Sequence, residues 1–470
     1  VYGEGAAGLG ILAGPCTKAF RNVPEGWSIY TPMEPHGSMP QSFVATDWHE
    51  LVDSPTLLGP FGIDRFEVAG KNIEIVVAAP PQYEVQAREK LREPVRKICQ
   101  AAADLMGGLP FERYQFQYFL RPTGFGGSGL EHANSTHIWL SVASVLNDDR
   151  MHTALFVTAH EFFHLWNVKR IRATPIHPYD YSRLPNLDCL WFHEGVTSYY
   201  TDLLLTRAGL MTEEELRRRF SRLLSNLNRS RDYYLQGEAW GFLLDWMIRD
   251  ATDNRCSLDD VIRLMWHHYG VPDRPFEQTA DILRLASGIA GRDLTWFGRY
   301  TLTRDVPTPI AAIGEATGFR FEPVGAGRSE VYWGFVAGER SDQGVVVESV
   351  MPLGPLGRLD LAAGDRLTTL DGRAISSIAQ LRAIPPGQTV RLGVVRRNGQ
   401  AFEAKVRASA DVVGPGNLVI PQEARAATLF RSIATGEHIL TSRRPIAPPD
   451  APDRRPSQPE TPPQSEDEDF

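Results

Sequence analysis

Hydrophobic and polar positions follow three regimes along this chain. From 84 to 106 apolar residues recur at helical spacing, at Val85, Leu91, Val95, Ile98, Ala102 and Leu105, and Gly107-Gly108 ends the run. The segment Phe66–Ala78 alternates as a strand, with Ile73, Ile75, Val76 and Val77, and Pro80-Pro81 closes it. Tyr114–Leu120 and Ile138–Val142 read as two more strands, with a glycine-rich loop, Arg121–Ser128, between them. Helical patterns then dominate: Met151–Val168, Asp188–Ala208, Thr212–Asn228, Glu238–Asp250, Ser257–Tyr269, Glu277–Ala286 and Leu294–Thr303. Thr212 is placed to cap its helix with Glu215 as the capping-box partner, ahead of a stripe of Leu216, Phe220 and Leu224.

Past residue 325 the pattern turns to strands. Gly344–Val350 is β-branched, Pro352–Leu361 a short helix or turn, and Val390–Arg396 and Ala401–Val406 a hairpin about Arg397–Gln400. Periodicity fades at about 411, with one helix expected at Glu423–Ile433, and 445–470 is rich in Pro, Ser and acid. So little apolar surface cannot offset the cost of ordering, and a disordered tail is expected there. The expected class is α+β multidomain: a β-rich N-terminal domain at 1–83, a mostly helical domain at 84–312, a small β domain at 325–410, and a linker with a disordered tail at 411–470.

Composition changes this picture little. The formal net charge of −8 argues against nucleic acid or an anionic membrane as the main partner. No apolar run approaches the roughly 18 residues needed to span a bilayer. Cys16, Cys99, Cys189 and Cys256 are scattered and form no CxxC pair, which reads as isolated thiols, with disulfides left open. The first residue is Val and no signal-peptide pattern precedes it, so the start is expected to be missing and the compartment, cytoplasmic or periplasmic, stays open.

The chemistry concentrates in Val157–Val168, VTAHEFFHLWNV. His160 and His164 are four apart, which on a helix puts both imidazoles on one face, one turn apart. So placed they can take two corners of a zinc tetrahedron, with Glu161 beside the open corner, where it can take a proton from water. A third ligand should come from a following helix. Glu194, 30 residues past His164, follows the apolar run Leu190, Trp191 and Phe192. A buried carboxylate there needs a cation. His193 points about 100° away around the helix and reads as packing or support.

Two further sites stay open on spacing alone. Glu131, at the edge of the glycine loop, is either a partner for a cationic substrate group or a solvated carboxylate. Tyr233 and Tyr234, in an expected short loop at Asp232–Gly237, are either packing or phenol donors to an oxygen gaining charge.

His160–Asn167 followed by Leu190–Tyr200 resembles the PDZ-containing glycyl aminopeptidase family, gluzincin zinc metallopeptidases. The resemblance takes in Leu51–Pro55, Gly129–His132 and Gly364-Asp365, and spans most of 25–410. It implies a thermolysin-like domain in which His160, His164 and Glu194 hold one zinc ion and Glu161 is the general base. It implies that Glu131 binds the substrate's free amine, Gly129 lies against the substrate backbone, and Tyr234 stabilises the oxyanion. It makes 325–410 a PDZ-like domain able to take a C-terminal peptide or partner. It also implies peptide substrates with a small first residue, Gly or Ala. The family's Tyr-x-Lys-Gly pattern has Gln236 at its lysine, the segment between Glu194 and Tyr234 is short, and a full member would carry more chain before Val1. Two rivals remain: an endopeptidase or other amide hydrolase without amine recognition, and a weakly active peptide-binding scaffold.

Overall fold

The computed structural model describes residues 14–439, apart from 125, 304, 305, 342 and 423. The opening glycine run up to residue 13 and the tail expected to be disordered lie outside the described residues.

A five-stranded sheet supports the centre of the molecule. Its order is Ile63–Val68, Lys71–Ala78, Arg113–Arg121, Ser135–Ser141, Ser128–Glu131. The expected strand Phe66–Ala78 is in fact a hairpin, because Ala69 and Gly70 both take positive φ and turn the chain back. Lys71–Ala78 runs parallel to Arg113–Arg121, and helix Pro81–Met106 makes the crossover between them. Strands from before and after residue 83 thus share one sheet. A domain boundary at 83 would cut it. Short strands before residue 63 pair among themselves, Cys16–Ala19 with Ser42–Ala45 and Ser28–Tyr30 with Leu57–Gly59.

The segment expected as a glycine loop partly joins the sheet. Ser128–Glu131 is an edge strand, antiparallel to Ser135–Ser141, with Gly129 opposite Ile138 and Glu131 opposite Thr136. Helices fill the rest of the domain. Met151–Phe163 packs against the sheet, and Thr197–Arg207 lies on Met151–Phe163, Phe163 stacking on Tyr200 at 4.5 Å. The Thr212–Glu215 capping box forms as expected. One continuous apolar core runs from Val68 to Ala434.

The small β domain has its own core around Trp333, Val347, Leu367, Leu392 and Val394. Its sheet contains Phe335–Ser341, Gly344–Val350, Arg366–Leu370, Thr389–Val395 and Ala401–Arg407 in that order. The chain beyond 411 is not a linker at its start. Ser409–Val413 pairs with Arg328–Tyr332, and Gly416–Val419 pairs with Arg320–Pro323. The two ribbons lead the chain out to the β domain and back. Helix Ala424–Thr435, close to the expected span, then packs Leu429, Phe430 and Ile433 into the large core. These short strands carry too few residues to show a period, which hid them in the sequence.

Candidate metal centre

Helix Met151–Phe163 carries His160 in its last turn, and His164 caps its end beside it, both buried. The chain then loops away and returns in a π-helical turn, Trp191–Val196, which carries Glu194. The turn sits where it does because of two glycines. A Cβ on Gly195 would come within 2.3 Å of the Gly237 backbone, so only glycines let this turn touch the start of helix Tyr233–Ala251. The expected loop at Asp232–Gly237 is therefore the first turn of that helix, capped by the Asp232 carboxylate on the Tyr234 N–H at 2.9 Å.

Three donor atoms converge. His160 Nε2 and His164 Nε2 are 3.0 Å apart, and Glu194 Oε2 lies 3.4 Å from the first and 3.3 Å from the second. Their other contacts fix the protons. His164 Nδ1 donates to the Asn167 carbonyl at 2.7 Å, so its Nε2 carries a lone pair. The Ser198 hydroxyl donates to the Glu194 carbonyl at 3.1 Å, so His160 Nδ1, at 3.4 Å, donates to Ser198. With both imidazoles neutral, three acceptors face one point, an arrangement that calls for a cation. A tetrahedral zinc at about 2.0–2.1 Å from each atom needs edges of about 3.3 Å, so the triangle fits.

The electrostatics agree. Burial opposes charge on Glu194, but contacts with His160 and His164 outweigh it and hold the carboxylate well below its usual range. Burial also opposes charge on His164, and Glu194 with the nearby carboxylates reverses this, holding it up at about 9, so the acceptors draw positive charge to this point, as a proton on His164 where no other cation sits. Burial wins at His160 and pulls it down.

Asn167 braces the ligands. Its side-chain amide donates to the Phe192 carbonyl at 2.9 Å and accepts from His193 Nδ1 at 2.8 Å. It therefore ties the first ligand helix to the Glu194 turn. His193 is support, as its direction on the helix indicated, and burial pulls it down to about 3. The brace role of Asn167 was missed, since an asparagine three residues after a helical ligand carries no signal of its own.

The other expected residues gather around this centre. The carboxylates of Glu131 and Glu161 and a ring nitrogen of His164 lie within 4.8 Å of one another. Burial, with help from Glu131 and Glu194, raises Glu161 to about 8 against the pull of His164. Gly129 lies against Glu161: a Cβ there would meet Glu161 Cγ at 2.3 Å. The glycine thus makes room for the Glu161 side chain, a reason the sequence did not show. Tyr234 stands with its ring 5.9 Å from that of His160, and burial and Glu194 push its phenol up, so it keeps its proton to donate. Gln236, where a lysine was expected by resemblance, is buried with its amide oxygen unpartnered. Beyond Glu131 the cleft opens into a cavity of about 770 Å³, walled by Asp47, Glu50, Asp53, Lys169, Tyr179 and Tyr181 among others.

A HExxH pair and a following glutamate on one donor triangle have the residue types and spacing of a site that can hold a metal ion. Residues 153–241 match the model of the M61 glycyl aminopeptidase family, and 326–394 that of the PDZ domain, so the resemblance drawn from the motifs holds. No curated protein matched the chain. Among solved structures, an aminopeptidase N family protein from Idiomarina loihiensis aligns with TM-score 0.60 at 22% identity, over 90% of this chain and 80% of that one. That likeness is one of fold. An M1 zinc metallopeptidase from Deinococcus radiodurans gives TM-score 0.42 at 14% identity, over 63% of this chain and 64% of that one. Legionella pneumophila aminopeptidase A gives 0.43 at 12%, over 83% and 40%.

Proposed function

We propose that this chain is a zinc aminopeptidase that removes the first residue of a peptide. The observation that carries the reading is the donor triangle of His160, His164 and Glu194, with edges of 3.0, 3.3 and 3.4 Å and two more carboxylates beside it. One zinc ion per chain, when bound, supplies Lewis acidity toward a carbonyl and toward water. Glu161 takes a proton from the attacking water at its carboxylate and passes it to the leaving amine. Tyr234 donates its phenol proton in a hydrogen bond to the carbonyl oxygen as that oxygen gains charge. Glu131 holds the substrate's ammonium group, which limits cleavage to the first peptide bond. The family resemblance adds a preference for Gly or Ala at that position. The PDZ domain is assigned to hold an extended peptide by strand addition. Among the described residues, no helix is long and apolar enough to cross a membrane.

The test is hydrolysis of glycyl and alanyl chromogenic amides by the wild type and by Glu161→Gln, with metal measured in both. Cleavage by the wild type, its loss in the variant and equal zinc in both support the reading. Equal cleavage of an N-acetylated copy would remove the role of Glu131 and favour the endopeptidase.

A further inference from the structure

We propose that Asp53, from the N-terminal β segment, is the positioning residue that holds Glu131 at the amine end of the substrate. The proposal rests on the reading of Glu131 as the amine's partner. Asp53 precedes Glu131 by 78 positions and reaches the turn directly after it. Its Oδ2 accepts from the Ala133 N–H at 2.7 Å. Its Oδ1 faces His132 Nδ1 at 3.2 Å and Lys169 Nζ at 2.7 Å. Lys169 lies five residues past His164, and its backbone N–H donates to the His164 carbonyl at 2.9 Å. One carboxylate therefore clamps the end of the Glu131 strand to the chain leaving the metal-binding helix.

The strand needs that clamp. Ser128–Glu131 has a sheet neighbour on one side only, and Leu130 is half exposed. From the other side Arg170 takes the Ala133 carbonyl at 2.8 Å and the Asn134 side-chain oxygen at 3.1 Å. Asp53 thus holds the N–H of Ala133 while Arg170 holds its C=O, and Glu131 sits two residues upstream of that fixed residue. Burial opposes charge on Asp53, but His132, Lys169 and the Ala133 N–H outweigh it and keep the carboxylate below its usual range. Asp53 and Glu131 also line the same cavity of about 770 Å³, so the clamp faces the space an incoming first residue would enter.

The full chain carrying Asp53→Ala, Asp53→Asn, Glu131→Gln or Glu93→Ala separates the possibilities. Glu93 is exposed on helix Pro81–Met106, bonds to Arg96 and does not line that cavity. Metal content, thermal midpoint, and kcat and KM on alanyl amide and its acetylated copy are measured for each. The Asp53 variants are expected to keep their zinc and to raise KM about 10- to 100-fold with little change in kcat. Asp53→Asn retains an acceptor for the Ala133 N–H and should fall between the wild type and Asp53→Ala, and it serves if the alanine variant does not fold. Preference for the free amine should fall in parallel, while Glu93→Ala behaves as wild type. An unchanged KM in folded, zinc-loaded Asp53 variants overturns the proposal, as does a fall in kcat alone or loss of zinc. If Glu131→Gln keeps its preference for the free amine, the reading of Glu131 fails and the proposal with it. If Glu131→Gln loses that preference and the Asp53 variants do not, Asp53 alone is excluded.

Discussion

The two sides of the cleft are built differently. On one, His160, His164 and Glu194 come from buried helical turns, and Asn167 and Ser198 brace them from within the same core. On the other, Gly129 and Glu131 ride an edge strand whose end is fixed by Asp53 from a distant segment. On the proposed reading, metal ligation is written into the core, where packing enforces it. On the same reading, substrate recognition lies on a border that depends on a long-range tie. The first should survive changes that the second does not.

The largest effect sharpens that contrast. Glu161→Gln is expected to lower kcat by about 10³-fold or more while zinc stays bound, since a base is lost and no ligand is touched. Steady-state kinetics with elemental analysis of the same sample checks it. Next, Gly129→Ala attacks the border side. Its methyl group would meet Glu161 at 2.3 Å, so Glu161 must shift. A loss of about 10²-fold in kcat with normal zinc is expected, and a wild-type rate would contradict the close packing. Asn167→Ala attacks the core side. It orphans His193 Nδ1 and the Phe192 carbonyl, and should destabilise the fold by about 2–4 kcal/mol in denaturant melts while weakening zinc binding about tenfold.

The smallest prediction lies outside both regions. Asp411, in the ribbon leading from the PDZ domain, accepts from the Ala311 N–H at 3.1 Å, and burial raises it to about 7. A carboxyl group raised in the fold favours the protonated form there, so its contribution to stability is full below about pH 4 and is lost as pH rises through about 7. Asp411→Asn should remove that slope and be more stable than the wild type at pH 8 by about 1 kcal/mol, with activity unchanged.

The same contrast explains what could be read from the sequence. His160 and His164 were legible because helical spacing alone puts them on one face. Glu194 was legible because an apolar run before a carboxylate demands a cation. The border was not. Ser128–Glu131 carries Gly129 and follows Gly126-Gly127, which suggests a loop, yet its partner strand satisfies the backbone. Asp232–Gly237 shows turn residues, yet Asp232 caps a helix there. Asp53 carried a family motif, but which peptide its carboxylate grips depends on a contact 80 residues away. Strands that pair only after the chain has travelled out and back, such as Gly416–Val419 with Arg320–Pro323, leave no local period.

The central claim is that Glu194 completes a single zinc site with the two histidines. Its most direct test is zinc per chain in the wild type and in Glu194→Ala after dialysis against a weak chelator, with folding checked by circular dichroism. The account predicts close to one zinc in the wild type and almost none in the folded variant. Wild-type protein without zinc, or a variant that retains it in full, would contradict it.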